Sequence, residues 1–370
     1  MNSSGRKLSR GEFLKLGGAG AVGVTVASTP AGALAQSYTY IDYQEHVPGN
    51  FSGDTFTSKA IDTSISYDTL IPSWDAAIPS GSSVTMQVRV RYGGVWSGWL
   101  SMGRYSATGQ SRSASTKLQD WLVDIDTIQS RTGQRANAYQ YRLKVSGSPK
   151  VRKVALVASQ SSRHGESINI GNLTSVWGQS LSLPKRSQYD YQQGAAWCSP
   201  TSVNMVLGFD GRGESVSDTA QGVYDAGAQL WGNWPYNTGY ASSKGLAGSV
   251  SRFNSIQQVE RWIASGIPVV TSMAWDNRYS GRRLDNASIP RATYGHLMVV
   301  VGFTKDGDVV VNDPASSPRS GVRRVYDRGQ FSRAWLDSDR WRGGRSDGVV
   351  YLIHPRTKAR PGSFSAKGSW

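Results

Sequence analysis

Two hydrophobic periods divide this chain. From about residue 38 to 165 the apolar positions recur every second residue. In Ser83–Tyr92, Val84, Met86, Val88, Val90 and Tyr92 alternate with Thr85, Gln87, Arg89 and Arg91, the period of a strand with one wet face. Gly93-Gly94 is a turn signal, and Val95–Leu100 reads as the returning strand. Tyr139–Val145 alternates in the same way, and Val151–Ala158 and Trp121–Ile125 are shorter runs of the same kind. Nothing in this stretch keeps a helical spacing. Short strands between Gly/Ser turns predict an antiparallel sandwich or jelly roll. The Ser/Gly/Asn-rich residues that follow, up to Ser182, read as a connection.

Beyond residue 183 the spacing changes. Val203, Val206 and Leu207 stand at i, i+3 and i+4 behind Pro200, a residue suited to a first helical turn, so a helix is expected to begin at Cys198. Ser255-x-x-Gln258 is a capping-box start for a second helix, with Ile256, Val259 and Ile263 on one face and Gly266 at its end. Pro268–Thr271 and Val349–Ile353 look like strands. Two near-continuous apolar runs, Thr293–Phe303 and Val309–Asn312, flank Lys305-Asp306-Gly307-Asp308, a hairpin signal. Helices mixed with such strands predict an α+β domain.

The N-terminus has a third pattern. Four Lys/Arg precede a short Gly/Ala-rich apolar run, Leu16 to Ser28, which exits through Ala33-Leu34-Ala35. That is the three-part layout of a secretory signal peptide, with cleavage expected after Ala35. The run is too short for a membrane span, which needs about 20 residues. Ser9-Arg10-x-x-Phe13-Leu14-Lys15 is similar to a twin-arginine signal, with Gly11 where the second arginine would stand. The expected setting is secreted or wall-associated.

The net charge is +15, and it remains strongly positive without the leader. A basic surface favours acidic partners, here wall polymers. The basic residues are scattered, with no finger, basic helix or stacking motif, so no nucleic-acid role is expected. Thirteen Trp and seventeen Tyr give material for large cores. Trp96 and Trp99 are expected to pack the sandwich core, with sugar stacking as the other use. The four His, at 46, 164, 296 and 354, have no metal-ligand spacing, so no cofactor or metal is expected. His46 and His354 have no motif around them.

The single cysteine excludes an internal disulfide. Its setting makes Cys198 a nucleophile candidate, because free amides and the helix dipole at a helix start favour thiolate over thiol. His296 opens one strand of the hairpin and Asp313 ends the other, which suits a base and the group that orients it. With Lys305–Asp308 as the loop, Asp313 falls opposite Val300, on the same face as His296 but roughly 13 Å short of it along a flat strand. Contact requires a bulge, with Gly302 the candidate, or strong coiling. Asn312 is the neighbouring alternative, and parity puts it on the other face.

These residues carry a resemblance. Pro184-x-x-x-Gln188, Cys198-Ser-Pro-Thr-Ser202, Gly295-His-x-x-Val-Val-x-Gly302 and Asn312-Asp-Pro314 follow one another in an order similar to the bacteriocin-leader-peptidase-like family of papain-fold cysteine peptidases, family C thirty-nine. The resemblance spans residues 183–355. It implies Cys198 as nucleophile, His296 as base, Asp313 as orienter and Gln188 as oxyanion-hole donor. Gln192, six residues before Cys198, is a rival for that last role. Ser199 stands where the family more often has glycine, beside the expected oxyanion hole.

The expected organisation is a signal peptide at 1–35, a β-sandwich domain at 36–165, a linker at 166–182 and a papain-like cysteine peptidase domain at 183–370. The expected function is hydrolysis of peptide bonds in a peptide or protein substrate, such as a wall peptide. Two other classes share these features: a catalytically inactive peptidase fold that binds wall or carbohydrate, and a thiol acyltransferase.

Overall fold

The computed structural model describes residues 6–8, 40–337 and 347–362. Apart from Arg6–Leu8, a short strand parallel to Gln179–Leu181, the expected leader lies outside the described residues.

The first unit consists of two antiparallel sheets. One runs Ile41–His46, Lys150–Ser159, Thr69–Ala77, Thr127–Ser130, Trp121–Asp124. The other centres on Ala136–Ser146 paired with Ser83–Tyr92 in continuous register, Ala138 opposite Arg91 through Ser146 opposite Ser83. Val84, Met86, Val88 and Val90 are fully buried, as their alternation demands, and join Leu70 and Leu156 of the other sheet in one core. The strand after Gly93-Gly94 differs from expectation. Val95–Trp96 pairs only with Arg91 and Tyr92; the chain then breaks and resumes as Leu100–Tyr105, which pairs along the rest of Ser83–Tyr92.

Trp96 and Trp99 are not core residues. They cover the outer face, where the Arg89 guanidinium lies 5.0 Å from each ring and that of Arg142 lies 4.0 Å from Trp99. The arginines occupy the wet positions of their strands, and the indoles cover their stems and attract their charge.

The second unit has an antiparallel sheet ordered Gln179–Leu181, Ala292–Phe303, Val269–Asp276, Val349–His354, Ala247–Arg252, with Val309–Asn312 on Ala292–Phe303 and Arg323–Tyr326 beyond it. Helix α1, Cys198–Phe209, packs on strand Ala292–Phe303 and against helices α2, Val216–Val223, and α3, Trp234–Ser243. Because it has neighbours on every side, Ser199–Leu207 are buried all round, polar residues included. Those polar residues are satisfied locally: Ser202 Oγ donates to Leu297 O, and Asn204 Nδ2 donates to Thr219 Oγ1. Helix α4, Ile256–Ala264, starts as expected at Ser255, whose hydroxyl accepts from Gln257 N, while the Gln258 side chain reaches back to Asn254 N. Helix α5, Arg328–Leu336, is capped by Asp327.

The two units share a continuous apolar core. Helix α3 lies on strand Thr69–Ala77, where Trp74, Tyr105 and Tyr236 form a ring cluster with centroids 5.5, 6.1 and 5.1 Å apart. Gly239 allows this approach, since a Cβ there would stand 2.8 Å from Trp74 Nε1. Polar groups cross the seam as well: Val250 N donates to Ser73 Oγ at 3.0 Å, and His164 Nδ1, itself between the units, meets Asp347 Oδ2 at 3.0 Å. Residues 166–182 pack on the second unit, with Trp177 Nε1 and Leu173 N both donating to the buried Glu260 carboxylate.

Candidate active site

The helix expected from Pro200 begins at Cys198 itself, with Trp197 as its N-cap. Its first amides have no intrahelical acceptor and point at the thiol end of the helix. The Cys198 side chain is half-buried.

His296 lies on strand Ala292–Phe303, opposite Met273, and is almost fully buried. Its Nε2 is 2.8 Å from Asp313 Oδ1. The expected gap between these two residues closes in two steps. The hairpin pairs Phe303, not Thr304, with Val309, and the register then shifts between Val300 and Gly302, so that Asn312 faces Val299. The bulged residue is Val301, next to the glycine singled out above. Each step advances Asp313 by one residue, which preserves parity and leaves about 7 Å along the strand for two side chains to span. Asn312 indeed turns the other way, donating to Pro184 O.

Asp313 is fully buried and has four donors. Oδ1 accepts from His296 Nε2 and from Ala315 N at 3.0 Å; Oδ2 accepts from Ser288 Oγ at 2.7 Å and Tyr326 OH at 2.8 Å. Burial alone would raise its carboxyl pKa, but the imidazolium and these hydrogen bonds hold it below the usual carboxylate range. Burial would likewise lower the His296 pKa, and the Asp313 charge overrides it and raises it. Because Nε2 is engaged by Asp313, Nδ1 is the ring nitrogen left for an interaction with the Cys198 sulfur. Burial pushes the Cys198 thiol up, while His296 and the backbone amides of Ser199 and Leu297 pull it down, and the net direction is down. The Trp275 ring stands edge-on to the imidazole at 5.7 Å, closing its other side. Ser288, Tyr326 and Trp275 carry no motif in the sequence; only the fold shows their roles.

Gln188 is buried beside the thiol and lines the same cleft. One of its amide hydrogens is donated to Ala195 O at 2.8 Å, which leaves the second N–H of the Nε2 group for the cleft. Its backbone N donates to Pro314 O, tying it to the Asn-Asp-Pro turn. Gly194 makes this packing possible: a Cβ there would fall 1.7 Å from Gln188 O. Gln192 is exposed and does not line the cleft. Ser199 does not crowd it either, because its hydroxyl turns away to Tyr351 OH at 3.0 Å.

The cleft, of about 610 Å³, holds Cys198, His296 and Gln188 on one side and the turn Asp124–Asp126 of the first unit on another. Among the described residues no group of His, Cys, Asp and Glu is arranged to hold a metal ion. His46 and His354 are elsewhere, bonded to Tyr139 OH and Pro355 O.

Two family models match the chain. Residues 180–340 match the Peptidase_C39 like family, and residues 9–159 match the Peptidase C39 N-terminal domain. No curated protein matches the chain. Among solved structures, a double glycine motif protease from an AMS/PCAT transporter, in complex with its leader peptide, is 15% identical; the match covers 47% of this chain and 92% of that one, with a TM-score of 0.31. A Bacillus anthracis protein described as a C39-like peptidase is 14% identical over 52% of this chain and 98% of its own, with a TM-score of 0.33.

Proposed function

We propose that this chain, which belongs to the C39-like peptidase family and carries that family's β-rich N-terminal domain, is an active cysteine peptidase with Cys198 as nucleophile, His296 as base, Asp313 as orienter and Gln188 as oxyanion-hole donor. The observation that carries the reading is the chain from the half-buried Cys198 thiol through buried His296 to the fourfold-bonded Asp313.

In the proposed reaction His296 Nδ1 takes the thiol proton, and the thiolate attacks a peptide carbonyl carbon. The Gln188 Nε2–H and the Cys198 backbone N–H receive the oxyanion. The C–N bond breaks as the imidazolium protonates the leaving amine. Water, deprotonated by the same imidazole, then attacks the thioester, and the carboxylic acid leaves with Cys198 restored. The leader-like N-terminus supports a setting outside the cytoplasm, with wall peptides or extracellular proteins as proposed substrates, and the net charge of +15 favours acidic wall polymer as a partner.

The test is the rate of Cys198 alkylation by iodoacetamide across pH. Rapid labelling well below the usual thiol pKa of about 8.5, lost in His296→Ala, is expected. Labelling that follows an ordinary thiol would instead favour a catalytically silent binding protein.

A further inference from the structure

The cleft that holds the thiol is not walled by the peptidase unit alone. Asp124, Ile125 and Asp126, at the turn joining strands Trp121–Asp124 and Thr127–Ser130 of the first unit, line it as well. The two aspartates of this turn are engaged within the protein: Asp124 accepts from Gln129 Nε2, and Asp126 Oδ2 accepts from Trp234 N at 3.1 Å, at the start of α3. The isoleucine between them is placed differently. It is half-buried, yet it belongs to neither apolar core among the described residues.

Its backbone is strained. The φ of Ile125 is 59°, a left-handed conformation that β-branched residues rarely adopt and that glycine or asparagine takes at lower cost. Among the described residues three non-glycine residues have such a φ, and two of them, Ile125 and Gln229 at 55°, line this one cleft. Leu230 and Trp231, which follow Gln229, line it too; Leu230, like Ile125, is half-buried and outside both cores. This second segment is also held by the first unit, since the buried Asp225 carboxylate accepts from Ser113 N and from Asn233 Nδ2.

An isoleucine kept at a strained position without core packing presents its side chain to something else. Half-buried Ile, Leu and Trp side chains around one cavity form an apolar surface that gains by being covered. The cavity also holds the candidate nucleophile, so its occupant is the substrate itself, and about 610 Å³ accommodates several residues of a peptide.

We infer that Ile125 of the first unit, with Leu230 and Trp231, forms a cross-domain subsite that receives a large apolar side chain of the peptide substrate near the scissile bond. The inference rests on the peptidase reading above.

The test uses electrophilic peptides elongated to either side of the reacting carbon, with leucine or alanine moved along the sequence, and follows labelling of Cys198 in the full chain. At one position leucine peptides are expected to label about tenfold faster than alanine peptides, the scale of a few methylenes leaving water. The ratio falls toward one in Ile125→Asn and in Leu230→Asn, and persists in Val47→Asn, an exposed apolar position elsewhere on the first unit. Asparagine and glycine both tolerate the left-handed backbone, and the urea midpoint of Ile125→Gly is expected to hold or rise, because no core contact is lost. With rapid iodoacetamide labelling of the unaltered protein, a leucine-to-alanine ratio near one at every position, a ratio that survives Ile125→Asn, or a midpoint lowered in Ile125→Gly overturns this inference alone. Slow iodoacetamide labelling overturns the peptidase reading, and this inference with it.

Discussion

Replacing Asp313 by Asn separates charge from hydrogen bonding at the centre of the candidate site. All four groups around the carboxylate are donors, two of them hydroxyls, Ser288 and Tyr326, on Oδ2. An Asn with Nδ2 on that side is acceptable, because both hydroxyls can rotate to accept, while its Oδ1 keeps His296 Nε2 and Ala315 N. The charge is what is lost. With Nε2 and Oδ1 at 2.8 Å, the charge centres stand about 4–5 Å apart, worth about 3–4 kcal/mol at an effective dielectric of about 20. That stabilises imidazolium, and through it the thiolate, by about 100-fold or more. Iodoacetamide labelling of Cys198, followed by mass spectrometry from pH 5 to 10, reads this directly. The unaltered protein is expected to label faster at pH 6 than an ordinary thiol, since the Cys198 pKa is lowered and the His296 pKa raised. Asp313→Asn is expected to lose about 100-fold at pH 6 and to recover at high pH, where the thiol ionises unaided. A variant profile that overlays the original would refute the claim that the Asp313 charge sets the thiolate.

The same pair makes stability depend on pH. The depressed Asp313 contributes above its unfolded pKa of about 3.9 and is lost as pH falls through its folded value, whereas the raised His296 contributes fully below about 6.5 and is lost as pH rises through its folded value. The gap in urea midpoint between the protein and Asp313→Asn should therefore be widest near pH 6 and narrow toward both extremes; a gap independent of pH would contradict it. Gln188→Ala should lower peptide turnover about 10²–10³-fold without slowing iodoacetamide alkylation, which builds no oxyanion, and Gln192→Ala should change neither. His164→Ala leaves the buried Asp347 without its imidazole and should reduce the unfolding free energy by about 3 kcal/mol, measured by urea denaturation. Ser199→Gly should cost about 1 kcal/mol through the lost Tyr351 bond, with no faster alkylation.

Legibility in the sequence followed how local the physics was. The helix start at Cys198 is readable because Pro200 and the residues after it are local signals. The parity of His296 and Asp313 is readable because the strand period is two, but their distance is not: it depends on which residue closes the hairpin and on a bulge at Val301, and a run of valines marks neither. Spacing could not decide between Gln188 and Gln192. In the structure Gln188 is buried and lines the cleft whereas Gln192 is exposed, which favours Gln188 for the proposed role. Helix α3 has no amphipathic pattern because it is buried on nearly every side, so a polar stripe has nowhere to face, whereas α2 buries Val216, Thr219, Ala220 and Val223 at i, i+3, i+4 and i+7, a stripe only two turns long with a threonine in it. The turn at Asp124–Asp126 escaped because Asp-Ile-Asp has no glycine at the position that adopts positive φ.

The division of labour between the units follows from what each can hold still. A nucleophile and its base need fixed geometry, and the candidates proposed for these roles, Cys198 and His296, sit on α1 and strand Ala292–Phe303, elements packed inside the second unit. The Asp124–Asp126 segment of the first unit lines the same cleft from outside those elements. Such a turn is useful only if it cannot drift. The bond from Trp234 N to Asp126 and the cluster of Trp74, Tyr105 and Tyr236 both engage the first turn of α3. The seam that merges the two cores therefore also anchors one lining segment of the cleft, and Tyr236→Ala, a substitution in that seam away from Cys198, should lower the urea midpoint while leaving the pH profile of iodoacetamide labelling unchanged; a shifted profile would refute this separation.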